Sequence, residues 1–391
     1  MADSPVAPLD LIAADSLLSE EEREIRGTVR RYLDSEVRPH IAEWFESGEL
    51  PARELAHGFG QLGLLGMHLE GYGCPGTSAI AYGLAALELE AVDSGVRSLV
   101  SVQGSLAMFA IHHYGSEEQK LEWLPRMAAG EAVGCFGLTE PDFGSNPAGM
   151  RTTAKRDGAD WVLNGTKMWI TNGSISDVAV VWARTDEGIR GFVVPTGTPG
   201  FAANTVKHKL SLRASVTSEL VLNGVRLPES AMLPGARGLA GPLGCLSEAR
   251  FGIVFGVMGA ARDSLQAAID YALAREQFDR PIAGFQLTQQ KLADMALELQ
   301  KGYLLALHLG RLKDAGQITP QMVSVGKLNN VREALRIARE ARTILGGSGI
   351  TTEYSPLRHA NNLESVLTYE GTSEIHTLVV GQALTGLPAY R

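Results

Sequence analysis

Over the first 130 residues, apolar positions recur at helical spacing. Ile25, Val29, Tyr32 and Leu33 share one face behind Ser19 and Glu22, whose separation is that of a capping box. The spacing predicts a helix opening at Ser19 and a second one from Ser78 to Ser94. Pro39, Pro51 and the run Gly71-Tyr72-Gly73-Cys74-Pro75-Gly76 interrupt this zone. Near residue 131 the period changes. Short β-rich runs (Trp161–Leu163, Met168–Thr171, Val178–Trp182, Gly191–Val194) are interspersed with Asp157-Gly158, Asn164-Gly165 and Asn223-Gly224, pairs that favour hairpin turns. From residue 241 helical stripes return. Val257, Ala261, Leu265, Ile269 and Leu273 form one; Leu328, Val331, Leu335 and Ala338 form another, broken at its end by Gly346-Gly347-Ser348-Gly349. The pattern predicts an α+β multidomain fold: an N-terminal helical domain (1–130), a central antiparallel β-barrel or sandwich (131–240) and a C-terminal four-helix bundle (241–391).

Composition narrows the classes. Of 391 residues, 45% are hydrophobic and 20% charged, which excludes a disordered or collagen-like chain. A net charge of -9 argues against nucleic-acid binding, which needs a basic face. Cys74, Cys135 and Cys245 have no C-x-x-C spacing, so neither a disulfide framework nor a zinc site is expected, in keeping with a reducing compartment. The stretch Met1 to Ser19 carries Asp10 and Asp15 but no Lys or Arg, unlike a signal or transit peptide. With no run of about twenty apolar residues, a cytoplasmic location without a membrane span is expected. The Asn-x-Ser/Thr triplets at Asn164 and Asn172 then read as turns. His112 and His113 are adjacent, so on a helix they point to different sides and make a poor pair for one ion; no metal site is expected.

Walker A, H-E-x-x-H and G-x-S-x-G motifs are absent. Four other segments could carry chemistry. Phe136-Gly137-Leu138-Thr139-Glu140-Pro141-Asp142-Phe143-Gly144-Ser145 is either an interdomain linker or a loop presenting N–H and hydroxyl groups to a flat polar ligand. Trp169-Ile170-Thr171 is either a core strand or a cover for a planar ring. Arg275, Gln277, Phe278 and Gln286 form either a polar helix end or a phosphate contact. In Thr368-Tyr369-Glu370-Gly371-Thr372-Ser373, Thr372 can cap a helix. Glu370, in an apolar context, can act as a base if desolvation raises its pKa.

Taken together and in order, these segments resemble the acyl-CoA dehydrogenase family over essentially the whole chain. The resemblance implies FAD as cofactor. Phe136, Leu138, Thr139, Gly144 and Ser145 would hold it, with Trp169, Ile170 and Thr171 beside the ring. Thr372 would lie near it, and Arg275, Phe278, Gln286, Gly346 and Gly347 would meet the FAD of a neighbouring subunit in a homotetramer. Glu370 would be the catalytic base, with its own N–H on the thioester oxygen. Tyr369, Gly371, Ser145 and Arg250 would line the acyl-CoA site, and Asn146 stands where the family usually carries Asp.

Glu90-Ala91-Val92-Asp93-Ser94-Gly95-Val96-Arg97-Ser98, Val100 to Gln103, Leu212 to Ser215, Ala249 to Ile253 and His359 to Glu364 resemble the branch acting on glutaryl-CoA. There Arg97 would bind the distal carboxylate, Ser98 would support it, and Glu90 is similar to the glutamate of decarboxylating members. Spacing alone reads Glu90, Asp93 and Arg97 as one helix stripe with an Asp93–Arg97 pair. The implied reaction is α,β-dehydrogenation of glutaryl-CoA with decarboxylation to crotonyl-CoA and CO2, electrons passing to electron-transferring flavoprotein. The alternatives are a non-decarboxylating dehydrogenase of a longer dicarboxylyl-CoA such as adipyl-CoA, an acyl-CoA oxidase, and a non-catalytic helical binding protein.

Overall fold

The computed structural model describes residues 6–9 and 11–389. Residues 1–5, 10, 390 and 391, which belong to the expected first and third domains, lie outside the described residues. The capping box forms as the spacing requires. Ser19 Oγ accepts from the Glu22 amide at 3.2 Å, and Glu22 Oε2 accepts from the Ser19 amide at 2.8 Å, opening α1 (Glu20–Glu36). Two short helices, α2 (Ile41–Ser47) and α3 (Ala52–Gln61), and a two-stranded ribbon, β1 (Glu70–Gly71) with β2 (Cys74–Pro75), lead to α4 (Ala79–Val92). Every residue of α4 is buried.

The helix expected to run from Ser78 to Ser94 stops at Val92. Asp93 adopts an extended backbone, and its carboxylate accepts from the Gly95 amide at 2.7 Å, starting a new helix, α5 (Ser94–Ser101). A short acidic side chain that can bond its own backbone competes with helix continuation. The Glu90–Asp93–Arg97 stripe of one helix is therefore replaced by two helices meeting at a corner. Asp93 faces Arg358 (3.2 Å) and Asn362 (2.8 Å), not Arg97. From α5 the chain enters a π-helical stretch, Val102–Met108, then α6 (Phe109–Tyr114) and α7 (Glu117–Ala128).

The β region is a seven-stranded sheet: β3 (Gly134–Gly137), β4 (Thr153–Asp157), β5 (Asp160–Thr171), β6 (Val178–Thr185), β7 (Gly188–Pro195), β8 (Phe201–Thr205) and β9 (Thr217–Pro228). Most pairings are antiparallel; β3 and the start of β4 lie parallel to β6. Asp157-Gly158 makes the β4–β5 turn as expected. Asn164-Gly165 does not make a turn. It lies inside β5, where the register against β9 shifts, so two expected strands merge into one of 12 residues. Asn164 Oδ1 accepts from the Gly224 amide at 2.8 Å, and Asn223-Gly224 likewise sits within β9. The two Asn-Gly pairs thus face each other as a bulge. The sheet encloses its own small core around Cys135, Trp161, Phe192 and Leu220.

The third region consists of α8 (Ala240–Ala274), the ribbon β10 (Glu276–Gln277) with β11 (Arg280–Pro281), α9 (Gln286–Asp314), α10 (Pro320–Ile344), α11 (Ser355–Thr368) and α12 (Ser373–Thr385). By length and composition α8 could cross a membrane, against expectation, but it is largely buried within the fold and shares one core with the N-terminal helices. Buried Glu88 of α4 accepts from Arg30 of α1 and Arg262 of α8, tying three helices. The α4–α8 crossing is glycine-lined. A Cβ on Gly259 would stand 1.9 Å from the Leu87 carbonyl oxygen, and one on Gly256 would stand 2.2 Å from Glu90 Oε2. Gly259→Ala is expected to lower the unfolding free energy by about 1–3 kcal/mol, as overpacking of a filled core does, measured by urea unfolding at fixed protein concentration.

Candidate active site

Glu370 lies in the four-residue link between α11 and α12, with a left-handed backbone (φ 53°) followed by Gly371 (φ 92°). For a non-glycine residue that conformation costs about 1–2 kcal/mol, so the surroundings must impose it. Thr372 ends the link by capping α12, accepting from the Ile375 amide at 3.3 Å. Three successive carbonyls are gripped by two cations. Lys327 Nζ donates to Tyr369 O (2.6 Å) and Gly371 O (2.7 Å), and Arg250 Nε donates to Glu370 O (2.6 Å).

Glu370 as a whole is half-buried. Its Oε2 is buried without a hydrogen-bond partner. Burial raises its pKa above the ordinary carboxylate value, while Arg97, Lys327 and Arg250 limit the rise. A carboxylate so desolvated is a stronger base toward a carbon acid than one in water. Burial also brings the Lys327 ammonium down to about 7, although Glu370 pulls the other way. His376 of α12 is held neutral, its pKa drawn down to about 3 by burial and by Lys327 and Arg250. One ring nitrogen meets Ser324 Oγ at 3.0 Å.

Arg97, on α5, is 1% exposed. Its Nε donates to Glu90 Oε2 at 2.9 Å, and Nη2 donates to the Tyr369 hydroxyl. Ser94 Oγ donates to the other Glu90 oxygen at 2.8 Å. Burial opposes the Arg97 charge, but Glu90, Tyr369 and Glu370 together outweigh it and the guanidinium titrates above its usual range. Arg97 Nη1 has no partner, nor do the neighbouring Ser98 and Ser101 hydroxyls. A buried guanidinium N–H left unmade is costly, and an incoming anion would satisfy it.

A second cluster is built on β3 and β5. Buried Lys167 donates to Leu138 O (3.1 Å) and Glu140 Oε1 (2.9 Å); Glu140 in turn accepts from the Arg151 (2.6 Å) and Thr152 (2.9 Å) amides. Met168 N donates to Thr139 O at 2.8 Å. These bonds fasten the Phe136–Ser145 loop to β5, so it is no free linker. Phe136 and Leu138 are buried, Thr139 is half-buried, and Gly144 and Ser145 are exposed. A second register shift between Lys167 and Ile170 leaves Trp169 with φ 65° and its side chain 59% exposed, while Ile170 is buried and Thr171 half-buried. An exposed indole beside open loop amides and hydroxyls fits a planar, polar-edged ring such as isoalloxazine. The two clusters are joined through the π-helical stretch that follows α5. Gln103 there donates to Met127 O and Ala132 O and accepts from the Gly134 amide at 2.7 Å, gripping the start of β3.

Arg275, Phe278, Gln286, Gly346 and Gly347 are all exposed and form a third group. Gln277, Phe278, Phe285, Thr343 and Ile344 line an open groove of about 330 Å³, next to Gly346 in the chain. Neither Glu370 nor the Phe136–Ser145 loop lines that groove. Among the described residues no cluster of three His, Cys, Asp or Glu side chains could hold a metal, and His112 instead meets the Glu70 carbonyl at 2.9 Å. All three cysteines are buried and unbridged; burial pushes Cys74 to about 11 and Cys135 to about 12.

Sequence reading passed over Lys327, His376 and Lys167. The signal for Lys327 lay in periodicity: it shares the buried face of α10 with Val323, Val331 and Ala334, a lysine where an apolar residue is expected.

The chain matches the models of the acyl-CoA dehydrogenase N-terminal domain at residues 19–131, middle domain at 135–225 and C-terminal domain at 236–385. Two structures of glutaryl-CoA dehydrogenase from Mycobacterium smegmatis superpose with TM-scores of 0.98 over 99% of this chain and 100% of theirs. They are 73% and 69% identical to it, the second being a complex with FADH2. The mitochondrial short-chain specific acyl-CoA dehydrogenase of Bos taurus is 36% identical over 382 residues, 96% of this chain and 92% of its own length.

His68, its side chain 6% exposed and neither ring nitrogen hydrogen-bonded, is held neutral with its pKa lowered to about 4 by burial. Its folded value lies below the unfolded one of about 6.5, so its contribution to stability is present above that pH and is lost as pH falls toward 4. Unfolding free energy should therefore decline below pH 6.5. His68→Leu should flatten that decline by up to about 1.4 kcal/mol per pH unit, read by urea unfolding at several pH values.

Proposed function

The chain belongs to the acyl-CoA dehydrogenase family, and from that premise we propose that it oxidises glutaryl-CoA and decarboxylates the product to crotonyl-CoA and CO2. The enzyme depends on FAD, which when bound supplies the hydride acceptor. The observation that carries the substrate reading is the buried Arg97 guanidinium, with one unpartnered nitrogen, hydrogen-bonded to the residue preceding Glu370. An anion at the far end of the acyl chain would complete that guanidinium; a plain alkyl end would leave it unsatisfied. The similarity to the Mycobacterium smegmatis enzymes supports the same reading.

Glu370 takes the α-proton of the thioester. Its backbone N–H donates to the thioester oxygen as charge develops there, a role worth about 3 kcal/mol per donor in such sites. Trp169 and Thr171 would hold the cofactor ring, and the fastened Phe136–Ser145 loop would keep water from that side. After oxidation, loss of CO2 from the γ-carboxylate leaves its electron pair delocalised into the thioester as a dienolate. Glu370, now protonated, returns the proton to give crotonyl-CoA. Arg97 already shares its charge with Glu90 at 2.9 Å. It thus selects the carboxylate without holding it as tightly as an uncompensated cation would, which leaves CO2 free to depart.

Arg250 contacts the CoA portion. In a homotetramer the exposed Arg275, Phe278, Gln286, Gly346 and Gly347 would meet the FAD of a neighbouring subunit, with electron-transferring flavoprotein as the acceptor. The reading includes a cytoplasmic location. The test is anaerobic titration of the yellow protein with glutaryl-, adipyl- and butyryl-CoA, followed by flavin absorbance and CO2 release. Bleaching with CO2 from glutaryl-CoA is expected; oxidation of adipyl-CoA with inert glutaryl-CoA would overturn the proposal. Arg97→Ala should cost glutaryl-CoA roughly a hundredfold more in kcat/KM than butyryl-CoA, the scale of a lost buried ion pair. Glu370→Gln should bind substrate but bleach at least about a hundredfold more slowly.

A further inference from the structure

Glu370 keeps a backbone conformation that a glutamate avoids, and no side-chain bond holds its buried Oε2. What fixes it must act through the main chain. Lys327 Nζ reaches the carbonyls on both sides of the residue, at 2.6 and 2.7 Å, so a single ammonium closes the link into a loop around Glu370. Arg250 takes the carbonyl between them at 2.6 Å. The helix that carries Lys327 is itself immobilised. Asn330, one turn on, donates to Val254 O of α8 (2.8 Å) and Gly302 O of α9 (2.9 Å), and Ser324 meets His376 of α12 at 3.0 Å. A lysine on a core-facing helix position, desolvated without a carboxylate hydrogen-bonded to it, is unfavourable unless something offsets it; here two backbone carbonyls do.

We propose that Lys327 is a positioning residue for the base: by bridging the carbonyls of Tyr369 and Gly371 it holds the left-handed peptide that aims the Glu370 carboxylate, and it places a cation beside that carboxylate. The proposal rests on Glu370 being the base. The charged and titratable groups facing Glu370 are Glu90 from α4, Arg97 from α5, Arg250 from α8, Lys327 from α10, His376 from α12 and Tyr369 from its own link. Lys327 bonds the residues on both sides of Glu370. Arg97 is engaged by Glu90 and the Tyr369 hydroxyl.

The experiment compares wild type, Lys327→Met, Lys327→Gln and Lys327→Arg as FAD-loaded enzymes. It reads the rate of flavin bleaching at saturating glutaryl-CoA across pH, flavin absorbance per protomer, and the thermal midpoint. Lys327→Met should slow bleaching by roughly tenfold or more, as misplacement of a reacting group does, at normal flavin content. Loss of the cation should move the acid limb of the profile upward by about one pH unit. Lys327→Gln, which keeps a donor without charge, should show the same displaced limb with a smaller rate loss, and decides the question where Lys327→Met does not fold. Lys327→Arg should return the limb to the wild-type pH. A wild-type acid limb in the Met or Gln variant, or a rate loss no larger than the loss of flavin, overturns the proposal. Glu370→Gln is run alongside. If it bleaches at near the wild-type rate, the base assignment fails; if it is slowed about a hundredfold or more while the limb of Lys327→Met is unmoved, only the role of Lys327 fails.

Discussion

The site depends on enclosing one carboxyl oxygen without letting its charge destabilise the fold. Glu370, half-buried with its Oε2 enclosed, sits at a corner where α4, α5, α8, α10 and α12 meet, and each brings a charge or a dipole to it. Three cations against Glu90 and Glu370 leave the pocket with positive charge to spare. That favours an anionic ligand and makes the ligand's carboxylate part of the site's own electrostatic balance. Glu90 has a double duty in this arrangement: it stabilises the buried Arg97 and would moderate its hold on a second carboxylate.

The cofactor side follows a different logic. There the backbone, not side-chain charge, is the working surface, and the buried Glu140–Lys167 pair serves to stiffen it. Lys167 is drawn down to about 8 by burial, against the hydrogen bond and charge of Glu140, and Glu140 is in turn held below the ordinary carboxylate range, despite burial, by the Arg151 and Thr152 amides and by Lys167. The register shift that exposes Trp169 and the hydrogen bond from Met168 to Thr139 bring loop and strand end together at one place.

Much of this was legible in the chain itself. The change of period at residue 131, the capping box at Ser19 and Glu22 and the cap at Thr372 read correctly because each is a local rule with a local outcome. The helix running through Asp93 and the turn at Asn164-Gly165 read wrongly for one shared reason. In both, a short polar side chain bonds a backbone amide, Gly95 for Asp93 and the distant Gly224 for Asn164, and Asp93 is further held by Asn362 and Arg358 far along the chain. Lys327 stayed hidden because its partners are main-chain carbonyls, which have no letter in a sequence. Motif resemblance brought forward Glu370, Arg97 and Trp169; their spacing alone left each of them ambiguous.

The glycine-lined crossing of α4 and α8 has a bearing on how such a pocket can diverge. With Leu87 and Gly259 in backbone contact and Glu90 seated over Gly256, the wall formed by those helices cannot retreat or thicken without unpacking the core. Variation in acyl length must then arise on the opposite wall, along α5 and the π-helical turn behind it. There, an exchange at Ser98 or Ser101 alters side-chain volume within one turn of Arg97 on α5 and leaves the α4–α8 distance untouched. Descendants of this chain would change diet by editing a short segment, while the frame that holds Glu90 stays as it is.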